Sequence, residues 1–319
     1  MAAMVFEKKG YVDTEAGQIH YRRCGQGTPS ILLLHSAGQS SAMFTAALKR
    51  FAAAGLHAVA LDLPNSGESC RATSGYADAS QATQLPDGEL TMVDVANLVL
   101  QAAHGLHFAP PFDIVGATVA LHIAAELPHI VRRIALWGIP LLGFMGRGDV
   151  LREESPDADY QADLPAAIEA FITTRFPEQQ VGGAGVDVPW QLKVRTVIDM
   201  LQTYERRPWL TRAMAVTDHA DLLKRIDLPV LCMAGEREPM QKETRKAALL
   251  CKNGEYVELG PAGRDVVDEM PDEYACTVLE FLLADPTLAS PMSHAWQGAE
   301  WSAGAGAPAP TANTDQQGL

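Results

Sequence analysis

Short runs of consecutive apolar residues alternate along this chain with longer stretches in which apolar positions recur every three or four residues. The runs Ile31 to Leu34, Ala58 to Leu61, Asp113 to Val115, Ile134 to Trp137 and Pro229 to Ala234 suit strands buried on both faces of a sheet. Between the first two, Ser41 to Gly55 has helical spacing. Leu90 to Leu106 is a second predicted helix, with Val93, Ala96, Leu100 and Ala103 on one face. Another should follow Val115 and stop near Pro128. At the start, Tyr11-Val12-Asp13 and Gln18 to Arg22 flank Glu15-Ala16-Gly17, which predicts an antiparallel hairpin. At the end, a strand around Tyr256 to Leu259 precedes a helix from Asp272 to Leu283. This alternation predicts the α/β class: a mostly parallel central sheet with helices on both faces, and Asp113 to Val115 between Ile31 to Leu34 and Ile134 to Trp137.

The pattern changes from about Pro140 to Ala220, where acidic and aromatic helical segments are broken at Gly182 to Gly185 and at Pro208. Beyond Pro286 the chain is rich in Ala, Gly, Pro, Ser and Gln, a composition with too little apolar surface to form a core. The expected division is a core from 1–139 and 221–285, a helical insertion at 140–220 and a disordered tail at 286–319. With 319 residues and 47% apolar content, the chain has ample material for one α/β unit.

A formal charge of −14 argues against nucleic-acid and anionic-membrane partners, which need clustered Lys and Arg. The five cysteines are scattered, with no Cys-x-x-Cys pair to suggest a disulfide staple or zinc site, and this predicts a reduced, cytoplasmic compartment. Met1 to Lys9 lacks the basic segment and apolar core of a secretory leader, and no apolar run has the length of a membrane span. The acidic stretch from Glu153 to Asp163 lacks the alternating oxygen ligands and Gly of a calcium loop. No metal or cofactor is expected.

Three segments carry a family resemblance. Ile31 to Gly38, Ala58 to Ser69 and Ile226 to Pro239 resemble the first core strands and the acid-bearing strand and turn of the α/β-hydrolase superfamily. The turn Asp62-Leu63-Pro64-Asn65-Ser66-Gly67-Glu68-Ser69 is similar to that family's Asp-x-x-Gly-x-Gly-x-Ser, with Asn65 at its first Gly. The resemblance implies a helical cap at 140–220, an oxyanion loop at His35, Ser36 and Ala37, and a catalytic acid at Glu238. It places Arg264 where the family has its His, and arginine, being permanently protonated, cannot act as a general base. Ser36 stands where the family usually has Gly.

The nucleophile elbow admits two readings. In one, Gly116-Ala117-Thr118-Val119-Ala120 is a degenerate Gly-x-Ser-x-Gly with Thr118 as nucleophile. In the other, about four residues of the elbow are missing, roughly one helical turn, and Thr118 is an ordinary first-turn residue. His122, four residues on, shares a helical face with Thr118 and is either its base or a packed helix histidine. Asp218-His219 reads as a solvated turn, and Trp190, Tyr204 and Trp209 read as packing or pocket aromatics. Two functions follow from the resemblance. One is a hydrolase-like or lyase-like enzyme acting on a small carbonyl or carboxylate compound without the Ser-His-Asp triad, with Arg264 binding an anionic group beside Glu238. The alternative is a non-catalytic protein of the same fold that binds a small ligand or serves as a partner subunit. The sequence leaves the oligomeric state open.

Overall fold

The computed structural model describes residues 6–73, 88–141, 164–175, 189–203, 207–263 and 265–284. The chain divides into two compact units, Met1–Leu283 and Ala284–Leu319. The first is built on an eight-stranded sheet of β1 (Lys8–Thr14), β2 (Gly17–Cys24), β3 (Ile31–Leu34), β4 (Ala58–Leu61), β5 (Phe112–Gly116), β6 (Val131–Trp137), β7 (Val230–Gly235) and β8 (Gly254–Leu259). Their order across the sheet is β1-β2-β4-β3-β5-β6-β7-β8. The β1–β2 hairpin joins β4 antiparallel, and every other pairing is parallel. The predicted place of β5 between β3 and β6 is the observed one.

The apolar runs are continuous because both faces of the sheet are covered. Within β3, Leu32 and Leu34 enter one buried layer while Ile31 and Leu33 enter the other, and β6 divides likewise into Ile134 and Leu136 against Ala135 and Trp137. The first layer is closed by α2 (Met92–Gly105), α3 (Thr118–Glu126), α7 (His219–Arg225) and α8 (Gln241–Leu250). The second is closed by α1 (Thr45–Ala53), the short α9 (Val266–Glu269) and α10 (Pro271–Leu283). Removal of each such Leu or Ile from water contributes about 1.5–3 kcal/mol. A period-2 alternation with one polar face would have left half of this sheet bare.

Between β6 and β7 the described chain forms α4 (Leu164–Arg175), α5 (Trp190–Thr203) and α6 (Arg207–Ala215) before α7. The acidic stretch from Glu153 to Asp163, the Gly182 to Gly185 break, Tyr204 and the tail at 286–319 lie outside the described residues. Trp209 is core packing, whereas Trp190 is 72% exposed. One expectation, the solvated turn at Asp218-His219, is corrected in its second residue: Asp218 is exposed as expected, but His219 is not. Asp218 caps α7 by accepting the Asp221 amide at 3.1 Å, and His219 is buried beside Leu222 and Leu223. Among the described residues, no helix is long and apolar enough to cross a membrane.

Candidate functional site at the carboxyl edge of the sheet

The loops leaving β3, β4, β5, β7 and β8 gather at the carboxyl ends of the parallel strands, the edge where open α/β sheets place ligands. The turn after β4 is the most fully bonded of them. Asp62, 2% exposed, is hydrogen-bonded to His20 Nδ1 at 2.9 Å and accepts the Ser41 amide at 2.6 Å and the Glu68 amide at 2.9 Å. Burial opposes its ionisation. The bond from His20 and the two amides outweigh that, and the carboxyl titrates well below the usual carboxylate range. The turn also explains Asn65, which adopts φ 63°, a left-handed conformation that Asn tolerates where the family has Gly. Its side chain bonds both the carbonyl and the amide of Ala72, at 3.0 and 2.9 Å. Gly67 has no such latitude, since a Cβ there would lie 2.3 Å from Asp62 Oδ2.

His35 ties the loops after β3 and β4 together. Its Nδ1 bonds the Ser36 carbonyl at 2.8 Å and its Nε2 accepts the Leu63 amide at 2.9 Å, so the ring is neutral with its proton on Nδ1. Burial pushes its pKa down, which preserves that state. Ser36 and Ala37 are half-buried, and the Ser36 hydroxyl donates to Gln39 Oε1 at 3.2 Å. Gln39 Nε2 then reaches Asp265 Oδ1 at 2.6 Å and joins the predicted oxyanion loop to the loop after β8. Ser40 Oγ donates to Asp199 Oδ1 on α5, also at 2.6 Å. These bonds hold the loop from two sides.

At the elbow, β5 ends at Gly116, Ala117 is the N-cap and α3 begins at Thr118. Ala117 has φ −115° and ψ −131°, so the junction lacks the left-handed residue on which a strained elbow would present its nucleophile. Gly116 packs tightly, since a Cβ on it would lie 2.9 Å from the Leu34 carbonyl oxygen and from the Ala120 Cβ. Thr118 is 2% exposed, and its hydroxyl has no hydrogen-bond partner. Nor is it a cap. His122 Nδ1 is buried without a partner as well, so no Thr118–His122 hydrogen bond forms, and burial lowers the pKa of that ring.

Glu238 follows β7 and is 7% exposed. Its Oε2 accepts the Gly235 amide at 3.3 Å, and its Oε1 lies where a Cβ on Gly138, just past β6, would approach to 3.2 Å. The carboxylate thus lies across the ends of β6 and β7. Arg264 is outside the described residues, so its predicted approach to Glu238 is not described either. Its neighbours are well held, because Glu269 accepts the Gly263 amide at 2.7 Å and the Asp265 amide at 3.1 Å.

Sequence reasoning missed Gln39, Ser40, Asp199 and Arg195. Arg195 pairs with Asp199 on α5 and with Asp268 on α9 at 2.6 Å, and so clamps α5 to the core. The Arg195–Asp199 pair had a readable signal, opposite charges four residues apart on a helix. Gln39–Asp265 and Ser40–Asp199 span 226 and 159 positions and had none.

No protein-family model matches the chain. A curated relative, pyrrolizixenacetamide deacetylase of Xenorhabdus hominickii, is 23% identical over 209 residues, covering 62% of this chain and 74% of that protein. Among solved structures, the enol-lactonase from Burkholderia xenovorans LB400 superimposes with a TM-score of 0.61 and 18% identity over 86% of this chain and 100% of its own. The carboxylesterase CesB of Bacillus subtilis gives 0.62 and 19% over 87% and 92%. The chain has the α/β-hydrolase fold. Within that hydrolase fold, the turn after β4 and the acid-bearing loop after β7 keep buried, bonded carboxylates, while the β5–α3 junction carries a sealed hydroxyl.

Proposed function

We propose that this hydrolase-fold protein binds a small carbonyl or carboxylate compound at the carboxyl edge of its sheet and does not run the serine acyl-enzyme cycle. The Thr118 hydroxyl carries this reading. It is sealed from solvent, has no base within hydrogen-bond reach and follows a strand-to-helix junction without a left-handed residue. An unactivated threonine is a weak nucleophile, and a buried one is not presented to a substrate. Residues 140–220 act as the cap over this site in a cytoplasmic protein. Arg264, in the place of the family His, supplies a bidentate anchor for the ligand's anionic group, with Glu238 orienting it.

One observation favours a second, catalytic reading. Glu238 is a buried carboxylate at the position of the catalytic acid, and it can orient a water or an anionic substrate for a hydrolase-like or lyase-like step without a covalent intermediate. The names of the similar proteins, a deacetylase, an enol-lactonase and a carboxylesterase, are compatible with such a descent. Turnover of a panel of esters, lactones and vinylogous diketones, run beside thermal shifts with small carboxylates, separates the two. Binding requires a shift without turnover, and the catalytic reading requires turnover that Glu238→Gln abolishes. In both, a fluorophosphonate serine trap leaves the protein unlabelled; stoichiometric labelling at Thr118 would overturn both.

A further inference from the structure

Helix α5 buries polar side chains beside Leu192 and Met200 and carries a second, apolar stripe outward. Its core-facing side chains include Thr196, Asp199 and Thr203, each 3% exposed or less, while Trp190, Val194, Ile198 and Leu201 face outward at four- and three-residue spacing. Threonine hydroxyls make this burial tolerable by bonding back into the helix, Thr196 to the Leu192 carbonyl at 2.8 Å and Thr203 to the Asp199 carbonyl at 2.9 Å. Asp199 is held by Arg195 and Ser40. Trp190, Val194 and Ile198 form the apolar wall of a cavity of about 410 Å3. That volume is in the range of small-molecule sites, and an outward apolar stripe beside a cavity marks a binding surface. None of Thr118, Glu238 or the residues of the β8 loop lines it.

The charged lining selects the occupant. Carboxylates of Asp62, Glu68 and Asp199 face guanidiniums of Arg22 and Arg195 across this space. Both guanidiniums are already neutralised by carboxylates, Arg22 by Glu7 at 2.7 Å and Arg195 by Asp199 and by Asp268 at 2.6 Å. An anion entering would therefore meet surplus negative charge. A cation would be attracted by it. Glu68 has one oxygen, Oε2, bound by the Tyr11 hydroxyl at 3.0 Å, and Oε1 remains available to an ammonium group. The exposed Trp190 indole offers a face for cation–π contact and for an apolar body.

We infer that the cavity between α5, strand β2 and the loops after β3 and β4 is a second binding site, for an organic ammonium ion with an aromatic or aliphatic body. Binding is non-covalent: the ammonium group stands near Glu68 and Trp190, and the apolar body covers Val194 and Ile198. This site shares the β3 and β4 loops with the carboxylate-binding edge proposed above but not Thr118 or Glu238.

Three probes share one body and differ in head-group charge: phenethylammonium, 2-phenylethanol and 3-phenylpropionate. They are titrated calorimetrically into the full chain, into Trp190→Ala and into Glu68→Gln. Both substituted residues are exposed, so the variants retain the fold. The affinity counted for each probe is the part that Trp190→Ala removes, which separates this cavity from the other site. Phenethylammonium is expected to bind tightest, to weaken about tenfold in Trp190→Ala and about threefold in Glu68→Gln. An equal or greater Trp190-dependent affinity for 3-phenylpropionate, no phenethylammonium binding, or binding indifferent to both substitutions would overturn the assignment.

Discussion

Two turns at the same edge of the sheet are bonded very differently. After β4, Asp62 collects His20, the Ser41 amide and the Glu68 amide, and a departure from the family pattern, Asn65, is accommodated by a left-handed backbone and two hydrogen bonds to Ala72. After β5, the chain passes into α3 through one residue, no side chain caps the helix, and the Thr118 hydroxyl is left without a partner. The first turn organises the fold, because a buried carboxylate stripped of its donors would be costly. The second leaves the Thr118 hydroxyl buried without a partner, and β5 and α3 form around it all the same.

The sharpest way to break this comparison is to remove Asp62. Asp62→Ala leaves His20 and two amides facing a buried void, and should cost about 3–5 kcal/mol of unfolding free energy in urea. A loss under about 1 kcal/mol would mean that the turn is as dispensable as the elbow.

A smaller effect is expected from pH. His35 and His122 have pKa values lowered by burial from 6.5, so between pH 6.5 and their folded values the unfolded chain binds protons that the folded chain does not. Stability therefore falls as the pH falls through that window, by roughly 1–2 kcal/mol between pH 7 and 5.5 for the pair. Asp199 has the opposite sign, because burial raises its folded value, so the loss is best read above pH 5. Urea titrations at several pH values check this, and His122→Leu should reduce the slope; a flat profile would contradict the assignment of His35 as a neutral tie.

The smallest effect is the most telling for the elbow. Thr118→Val replaces an unpartnered buried hydroxyl with a methyl of similar shape, and should leave stability unchanged or raise it by up to about 1 kcal/mol. Any turnover found with the ester and lactone panel should be the same in this variant. A large destabilisation, or loss of a turnover, would show that the hydroxyl has a partner or a role.

The place of β5 between β3 and β6 was legible from the apolar runs, whereas the expected face of α2 is displaced, since Val93 and Leu100 are only half-buried while Val95, Leu98, Val99 and Ala102 are the buried side. Five consecutive apolar runs require a sheet covered on both faces, and the right-handed crossover rule places Asp113 to Val115 at its centre. That Asn65 stands at a family glycine position was also readable, and the structure supplies its left-handed backbone. His219 was misread because its burial depends on what α7 packs against. Glu238 could be placed at a strand end, but its burial across Gly138 depends on β6, a hundred residues earlier in the chain. Tertiary structure alone decided the bonds from Gln39 to Asp265 and from Ser40 to Asp199, and with them the closure of the predicted oxyanion loop. It also decided that α5 turns its polar residues inward and its tryptophan outward. Local sequence determines which backbone conformations and which buried faces are favourable within a few turns of chain. Partners that meet only when distant loops converge at a sheet edge leave no periodic trace, and in this protein the two candidate sites are made of such partners.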